Sequence, residues 1–170
     1  MNLPERIEIL VITLSDRAYR GEYEDLSGPR IMQMAADYFR SEGMDISVEK
    51  ELIPDDADIL RSKLKAASKN YNIIFTTGGT GIGPRDITVE TVKPLLDKEI
   101  PGVMEFIRMK YGSLKPNALL SRGVAGVMGK SLIYTLPGSV KAVEEYMTEI
   151  LKTIKHLIYM QYGIDTHQKH

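Results

Sequence analysis

The run Asn72-Ile73-Ile74-Phe75-Thr76-Thr77 passes without a break into Gly78-Gly79-Thr80-Gly81-Ile82-Gly83-Pro84. The first part is apolar at consecutive positions, the pattern of a strand covered on both faces in a parallel sheet flanked by helices. The second part places four glycines within six residues. Such a loop lets the backbone approach a ligand closely and turns N–H groups outward, and in open α/β sheets ligands bind at the carboxyl ends of the strands. Near a helix N-terminus this concavity suits phosphate, with Thr77 and Thr80 adding hydroxyl donors. No Gly-Lys-Ser/Thr follows, so the loop is not a Walker A sequence, and its spacing is not the Gly-x-Gly-x-x-Gly of dinucleotide folds. A flexible turn without a ligand is the alternative reading of the loop taken alone.

The flanking sequence agrees with a parallel α/β sheet. Ile7 to Leu14 is a β-branched run of strand length, and Met44 to Ile53 reads as a second strand. Ser131 to Leu136 reads as a further strand, stopped by Pro137-Gly138. Between the strands, Gly28 to Glu42 carries Ile31, Ala35 and Tyr38 at helical spacing, with Gly43 placed to end the helix. Asp55 or Asp56 caps a helix bearing Ile59, Leu60, Leu64 and Ala67. Thr88 to Asp97 and Gly102 to Tyr111 read as helices divided by Pro101, and Lys115 to Arg122 as a short helix or turn. Ser139 to Tyr162 is a long amphipathic helix. Alternating strands and helices imply right-handed crossovers and a three-layer α/β/α sandwich with a mostly parallel central sheet. Residues 1–164 read as one domain and 165–170 as a polar tail.

Composition narrows the chemistry. With 22 Lys plus Arg against 23 Asp plus Glu the net charge is −1, so no global basic field serves nucleic acid or an anionic membrane. An anionic ligand has to be held by a local set of donors. Cysteine is absent, which removes disulfides, thiolate ligands and a thiol nucleophile together and fits a reducing, cytoplasmic setting. The apolar run at residues 7–14 is too short to span a bilayer. His156, His167 and His170 are too scattered for a metal site or a Ser-His-Asp triad.

Three features are placed at the carboxyl ends of strands. Asp86 follows the glycine-rich loop, and Asp55 follows the second strand through Pro54. A carboxylate together with substrate phosphates is a common way to hold Mg2+, although Asp55, Asp56 and Asp58 equally suit a helix N-terminus. Ser15-Asp16-Arg17 follows the first strand, and Asp25-Leu26-Ser27-Gly28-Pro29 opens the next helix. Leu136-Pro137-Gly138-Ser139 makes a similar turn into the last helix.

Taken together, Thr76 to Gly81, Arg85-Asp86-Ile87-Thr88 and Glu90 resemble the signature of the MogA/MoaB proteins, whose fold recurs in the G domains of gephyrin and of the plant molybdenum-cofactor enzyme. Ser15-Asp16-Arg17, Asp25 to Pro29, Ile53-Pro54-Asp55, Pro101-Gly102, Ser121-Arg122 and Leu136 to Ser139 extend the likeness along most of the chain. The resemblance implies a molybdopterin adenylyltransferase using Mg2+, ATP and molybdopterin, with Asp55 and Asp86 as the essential aspartates and Mg2+ anchors. It also implies substrate contacts at Ser15, Asp25, Ser27, Thr77, Gly78, Gly79, Thr80, Gly81, Ser121, Arg122, Pro137, Gly138 and Ser139. A homotrimer is the implied assembly, with a hexamer and other molybdenum cofactor biosynthesis proteins as further partners to test. Two alternatives stay open: a non-catalytic molybdopterin carrier of MoaB type, and a CinA-like nucleotide pyrophosphatase. The intact Pro54-Asp55 and Arg85-Asp86 favour the enzyme over the carrier, and the absence of a doubled aspartate after the loop disfavours the pyrophosphatase.

Overall fold

The computed structural model describes residues 3–164, so the expected polar tail at 165–170 lies outside the described residues. Among the described residues, six strands form one sheet in the order β2-β1-β3-β6-β5-β4: β1 (Ile7–Leu14), β2 (Ile46–Ile53), β3 (Ile73–Thr77), β4 (Lys98–Glu99), β5 (Ala125–Met128) and β6 (Ser131–Leu136). The ladders β2-β1, β1-β3 and β3-β6 are parallel, whereas β5 runs antiparallel to β6 and β4 antiparallel to β5. The helices are α1 (Asp16–Tyr19), α2 (Ser27–Ser41), α3 (Ala57–Ala67), α4 (Thr88–Val92), α5 (Pro101–Gly112) and α6 (Val140–Gln161). Among the described residues, no helix is long and apolar enough to cross a membrane.

Strand alternation divides the core in two. Ile7, Ile9 and Val11 of β1, Ile73 and Phe75 of β3, and Leu132, Tyr134 and Leu136 of β6 face α2, α5 and α6. Leu10, Ile12, Leu14, Ile74 and Ile133 point the other way, onto Leu60 and Leu64 of α3 and Val89 and Val92 of α4. The sheet is therefore the middle of three layers, and β1, β3 and β6 are mainly apolar and buried at nearly every position because both of their faces are covered. Phe75 and Tyr134 stack at 5.5 Å between ring centroids across the β3-β6 ladder.

The elements depart from the sequence reading in places, and α1 forms where a polar loop was expected. The helix expected over Thr88 to Asp97 ends at Val92 and tightens into a 3-10 turn over Lys93–Leu95, since Pro94 lacks the N–H that would continue it. The second strand starts at Ile46, and as the sheet's edge it is only partly covered. The short helix or turn expected over Lys115 to Arg122 is a 3-10 turn over Pro116–Leu120. The short strands β4 and β5 are additions; the signal for β5 is the two-residue turn Gly129-Lys130 between apolar runs, with Gly129 at φ +59°.

Two substitutions test this framework. Gly78 adopts φ +101°, and a Cβ there would collide with the carbonyl oxygen of Leu14. Gly78→Ala is expected to destabilise the fold by about 1–3 kcal/mol, the cost of one strained backbone position, read as a lower urea midpoint. On α6, the buried Glu149 accepts from Lys152 at 2.7 Å and Tyr111 at 3.1 Å and pairs with Lys110. Burial pushes this carboxyl up, but Lys110, Lys152 and Tyr111 outweigh it and hold it at about 2. A carboxyl depressed in the fold stabilises it fully above the unfolded value of about 4.3 and ceases to do so as pH falls through the folded value. Glu149→Gln should therefore melt below wild type at neutral pH, with the gap closing as pH falls toward 2.

Candidate functional site

The carboxyl ends of β1, β2, β3 and β6 lie side by side, which brings Ser15, Asp55, Gly78 and Pro137 to one edge of the sheet. Ser15 N–H donates to Ile53 (3.1 Å), and Gly78 N–H to Leu136 (3.0 Å), so each strand end is tied to its neighbour. From β1 the chain turns through α2 to β2 on one side, while β3 lies on the other. This is the switch point at which such sheets open a crevice.

The glycine-rich loop is fixed in shape. Thr88 Oγ1 donates to the Gly78 carbonyl (2.8 Å) and Thr88 N–H to the Gly79 carbonyl (3.1 Å). Arg122 donates through Nε to the Gly81 carbonyl (3.0 Å) and also pairs with Glu90. Arg122 N–H donates to the Thr80 carbonyl (3.0 Å), and Thr80 Oγ1 lies 3.2 Å from Ser121 Oγ. The carbonyls of Gly78 to Gly81 are thus taken by the protein, on the pattern of a loop that presents its N–H groups to an anion. The Thr77 hydroxyl, expected as a donor to ligand, is fully buried and donates to the Pro137 carbonyl at 2.7 Å, so it braces the turn after β6.

The acidic residues separate into distinct roles. Asp56, not Asp55, caps α3, accepting from the N–H groups of Asp58 and Ile59, each at 2.9 Å. Asp55 is half-buried, and its Oδ2 accepts from Asp16 N–H at 2.9 Å while Asp55 N–H donates to Asp16 Oδ1 at 3.0 Å. Arg85 grips both Asp16 oxygens, at 2.9 and 3.1 Å. Burial raises the Asp55 carboxyl above its ordinary value; the charges of Asp16 and Asp86 add to the rise, and the Asp16 N–H and Arg85 oppose it. Asp16 is held low by Arg85 and by the Asp55 N–H. Asp86 folds back on the loop, its Oδ2 accepting from Gly83 N–H at 2.7 Å. One oxygen each of Asp55 and Asp86 stays outside the hydrogen bonds of the described residues.

Other expected residues are structural in their protein contacts. Asp25 is buried and accepts from Thr13 Oγ1 (2.8 Å), Gly28 N–H (3.0 Å), Ser27 Oγ (3.2 Å) and Lys50 (3.3 Å). Burial alone would raise its carboxyl; Gly28, Thr13 and Lys50 together hold it below the usual range. Ser15 caps α1 and lies 2.7 Å from the Tyr23 hydroxyl, and Ser139 caps α6. Ser15, Tyr23, Asp25, Ser27, Thr77 and Gly138 nevertheless line one cleft of about 190 Å³. A wider cleft of about 710 Å³ opens on the far side of Arg122, among Glu90, Arg108, Ser121 and Gly123. Asp16, Arg85 and Arg108 were not among the residues assigned to the site by sequence. Asp16 follows β1 and Arg85 precedes Asp86, so position alone could have found the first two; Arg108, which donates to the Gly123 carbonyl at 2.9 Å, carries no such signal.

Asp55 and Asp86 offer hard oxygen donors of the kind Mg2+ takes, while among the described residues no group of three or more His, Cys, Asp or Glu could hold a metal. The residues fit Mg2+ only in the mode in which substrate phosphates and water complete the shell.

Residues 10–156 match the family model described as a probable molybdopterin binding domain. The molybdopterin adenylyltransferase of Helicobacter pylori strain J99 is 35% identical over 161 residues, covering 94% of this chain and 90% of its own. The crystal structure of the molybdopterin biosynthesis enzyme MoaB from Thermus thermophilus superposes with a TM-score of 0.82 at 36% identity, over 92% of this chain and 97% of its own. CinA from Thermoplasma acidophilum, over 89% of this chain and 99% of its own, has a TM-score of 0.63 and 18% identity, which is a likeness of fold alone. With a glycine-rich loop, two strand-end aspartates and sequence likeness along nearly its whole length, the chain belongs to the MogA/MoaB family of molybdenum cofactor biosynthesis proteins.

Proposed function

We propose that the chain is a molybdopterin adenylyltransferase, moving AMP from ATP to the terminal phosphate of molybdopterin. One observation carries the reading: a backbone cradle at Gly78 to Gly81, its carbonyls already engaged, is flanked by Asp55 and Asp86, each with an oxygen to spare. An oxygen of the molybdopterin phosphate attacks the α-phosphorus of ATP. The new P–O bond forms as the bridging α–β P–O bond breaks, and its electron pair leaves with pyrophosphate. A phosphate dianion is already a nucleophile at neutral pH, so the protein needs to supply no base, and its contribution is alignment and charge stabilisation. The N–H groups of Gly79, Thr80 and Gly81 hold phosphate oxygens, while that of Gly78 is given to the Leu136 carbonyl and drops out of the expected set; Ser121 and Arg122 border the wider cleft that suits the pterin, and Gly138 lines the smaller one. Asp86 and Asp55 would hold Mg2+, which supplies neutralisation of the triphosphate charge. A cytoplasmic setting belongs to the same reading.

The test is purified protein with molybdopterin and Mg2+-ATP, assayed for adenylyl-molybdopterin and pyrophosphate. Wild type is expected to give both, and Asp86→Asn to lose on the order of 10²-fold in rate, the scale for removing one electrostatic stabiliser. Molybdopterin binding without product would leave a carrier, and hydrolysis of ADP-ribose would leave a pyrophosphatase.

Assembly as a homotrimer is part of the proposal. Phe106 and Met109 of α5, with Leu114 and Leu120 beyond it, are 55–76% exposed in the single chain. Clustered apolar exposure of this kind marks an interaction surface. Sedimentation should give a trimer for wild type and a monomer for the Phe106→Lys, Met109→Lys double variant; a wild-type monomer would remove the assembly from the proposal.

A further inference from the structure

Three residues close the ends of three strands on one another: Asp16 just past β1, Asp55 just past β2, and Arg85 in the loop after β3. Asp16 and Asp55 exchange backbone N–H donors to each other's carboxylates, at 2.9 and 3.0 Å. Two carboxylates so joined repel, and the guanidinium of Arg85 is the cation that holds them, forked across both oxygens of Asp16. Arg85 is 66% exposed and Asp16 22% exposed. Exposed ion pairs contribute little to folding, and β1 is already fastened to β2 and β3 by continuous ladders. The fork has geometry to offer instead. It fixes the plane of the Asp16 carboxylate, and with it the backbone of Asp55, while Arg85 is bonded in sequence to Asp86. Both aspartates assigned to the reaction are thereby set in one frame.

We propose that Asp16 and Arg85 are positioning residues, a clasp that orients Asp55 relative to Asp86 and on which the transfer step depends. The inference rests on the adenylyltransferase reading. It treats Arg85 as a part that acts through Asp16, not as a phosphate-binding cation, and that distinction is measurable.

Steady-state kinetics with Mg2+-ATP and molybdopterin would be measured for wild type, Asp16→Asn, Arg85→Gln, Arg85→Lys and the Asp16→Asn, Arg85→Gln double variant, with thermal melting of each. Misplacing a reacting group by a small distance costs on the order of 10- to 100-fold, so each single variant should lose that much kcat. The KM for ATP should stay within about twofold, because ground-state binding is not what the clasp supplies. The double variant should be no slower than the slower single one, the sign of a shared interaction. Arg85→Lys should behave as Arg85→Gln, since an ammonium cannot fork across two oxygens. Melting should change little throughout, and if Asp16→Asn fails to fold, the two Arg85 variants still read the kcat-against-KM split. A raised KM for ATP with kcat kept, losses that multiply in the double variant, or full activity in Arg85→Lys would each overturn the clasp. Absence of product from wild type would overturn the adenylyltransferase reading and the clasp with it, and is told apart because it needs no substitution to appear.

Discussion

A strand paired on both edges and covered on both faces has only its ends to offer a ligand, and β1 is that strand. It pairs with β2 from Ile7 to Leu14 and with β3 from Ile9 to Thr13, and its side chains are divided between the two core layers. The backbone polar groups along its length are consumed by the ladders, and the chain departs from it toward β2 while β3 lies opposite. Everything the molecule presents at its carboxyl edge is arranged around this end: Ser15 and Asp16 directly after β1, Asp55 beside them, and Gly78 against the Leu14 carbonyl. Chemistry at the edge is possible because the interior of the sheet is apolar and leaves the end points no freedom to wander.

The second constraint is electrostatic. On the proposed function, a chain of net charge −1 accepts highly anionic substrates beside its own carboxylates. The loop answers with backbone N–H groups, which carry no counter-ion and no side-chain entropy. The acids are graded by their surroundings: Asp25 is saturated with donors and serves to pin the start of α2, Asp16 is neutralised by Arg85, and Asp55 is raised by burial. Three acidic residues therefore do three different things, and partner lists, not residue type, distinguish them.

Much of this was legible in the sequence. The apolar runs at residues 7–14, 73–77 and 131–136 declared a sheet covered on both faces, and the stripe along α6 declared its long helix. The glycine-rich loop and the two strand-end aspartates were placed by the same logic. What stayed hidden depended on pairing across distance. Nothing local says that Asp56 takes the cap and Asp55 does not, because both have the same side chain at the same helix start. The strand β4 has two residues and exists only because β5 lies alongside it. The Thr77 hydroxyl looked like a ligand donor until the β6 turn supplied the Pro137 carbonyl. The guanidinium of Arg85 finds Asp16 across a separation that no spacing rule reaches.

The hold of Arg122 on the Gly81 carbonyl, with Thr88 on Gly78 and Gly79, has a thermodynamic side. A glycine-rich loop left to itself is the most disordered kind of chain, and a ligand that had to order it would bind more weakly by that entropy. Here the ordering is completed during folding. The loss of freedom is charged to protein stability instead of to ligand affinity, and on the proposed function the cradle meets an incoming phosphate in the shape it will keep.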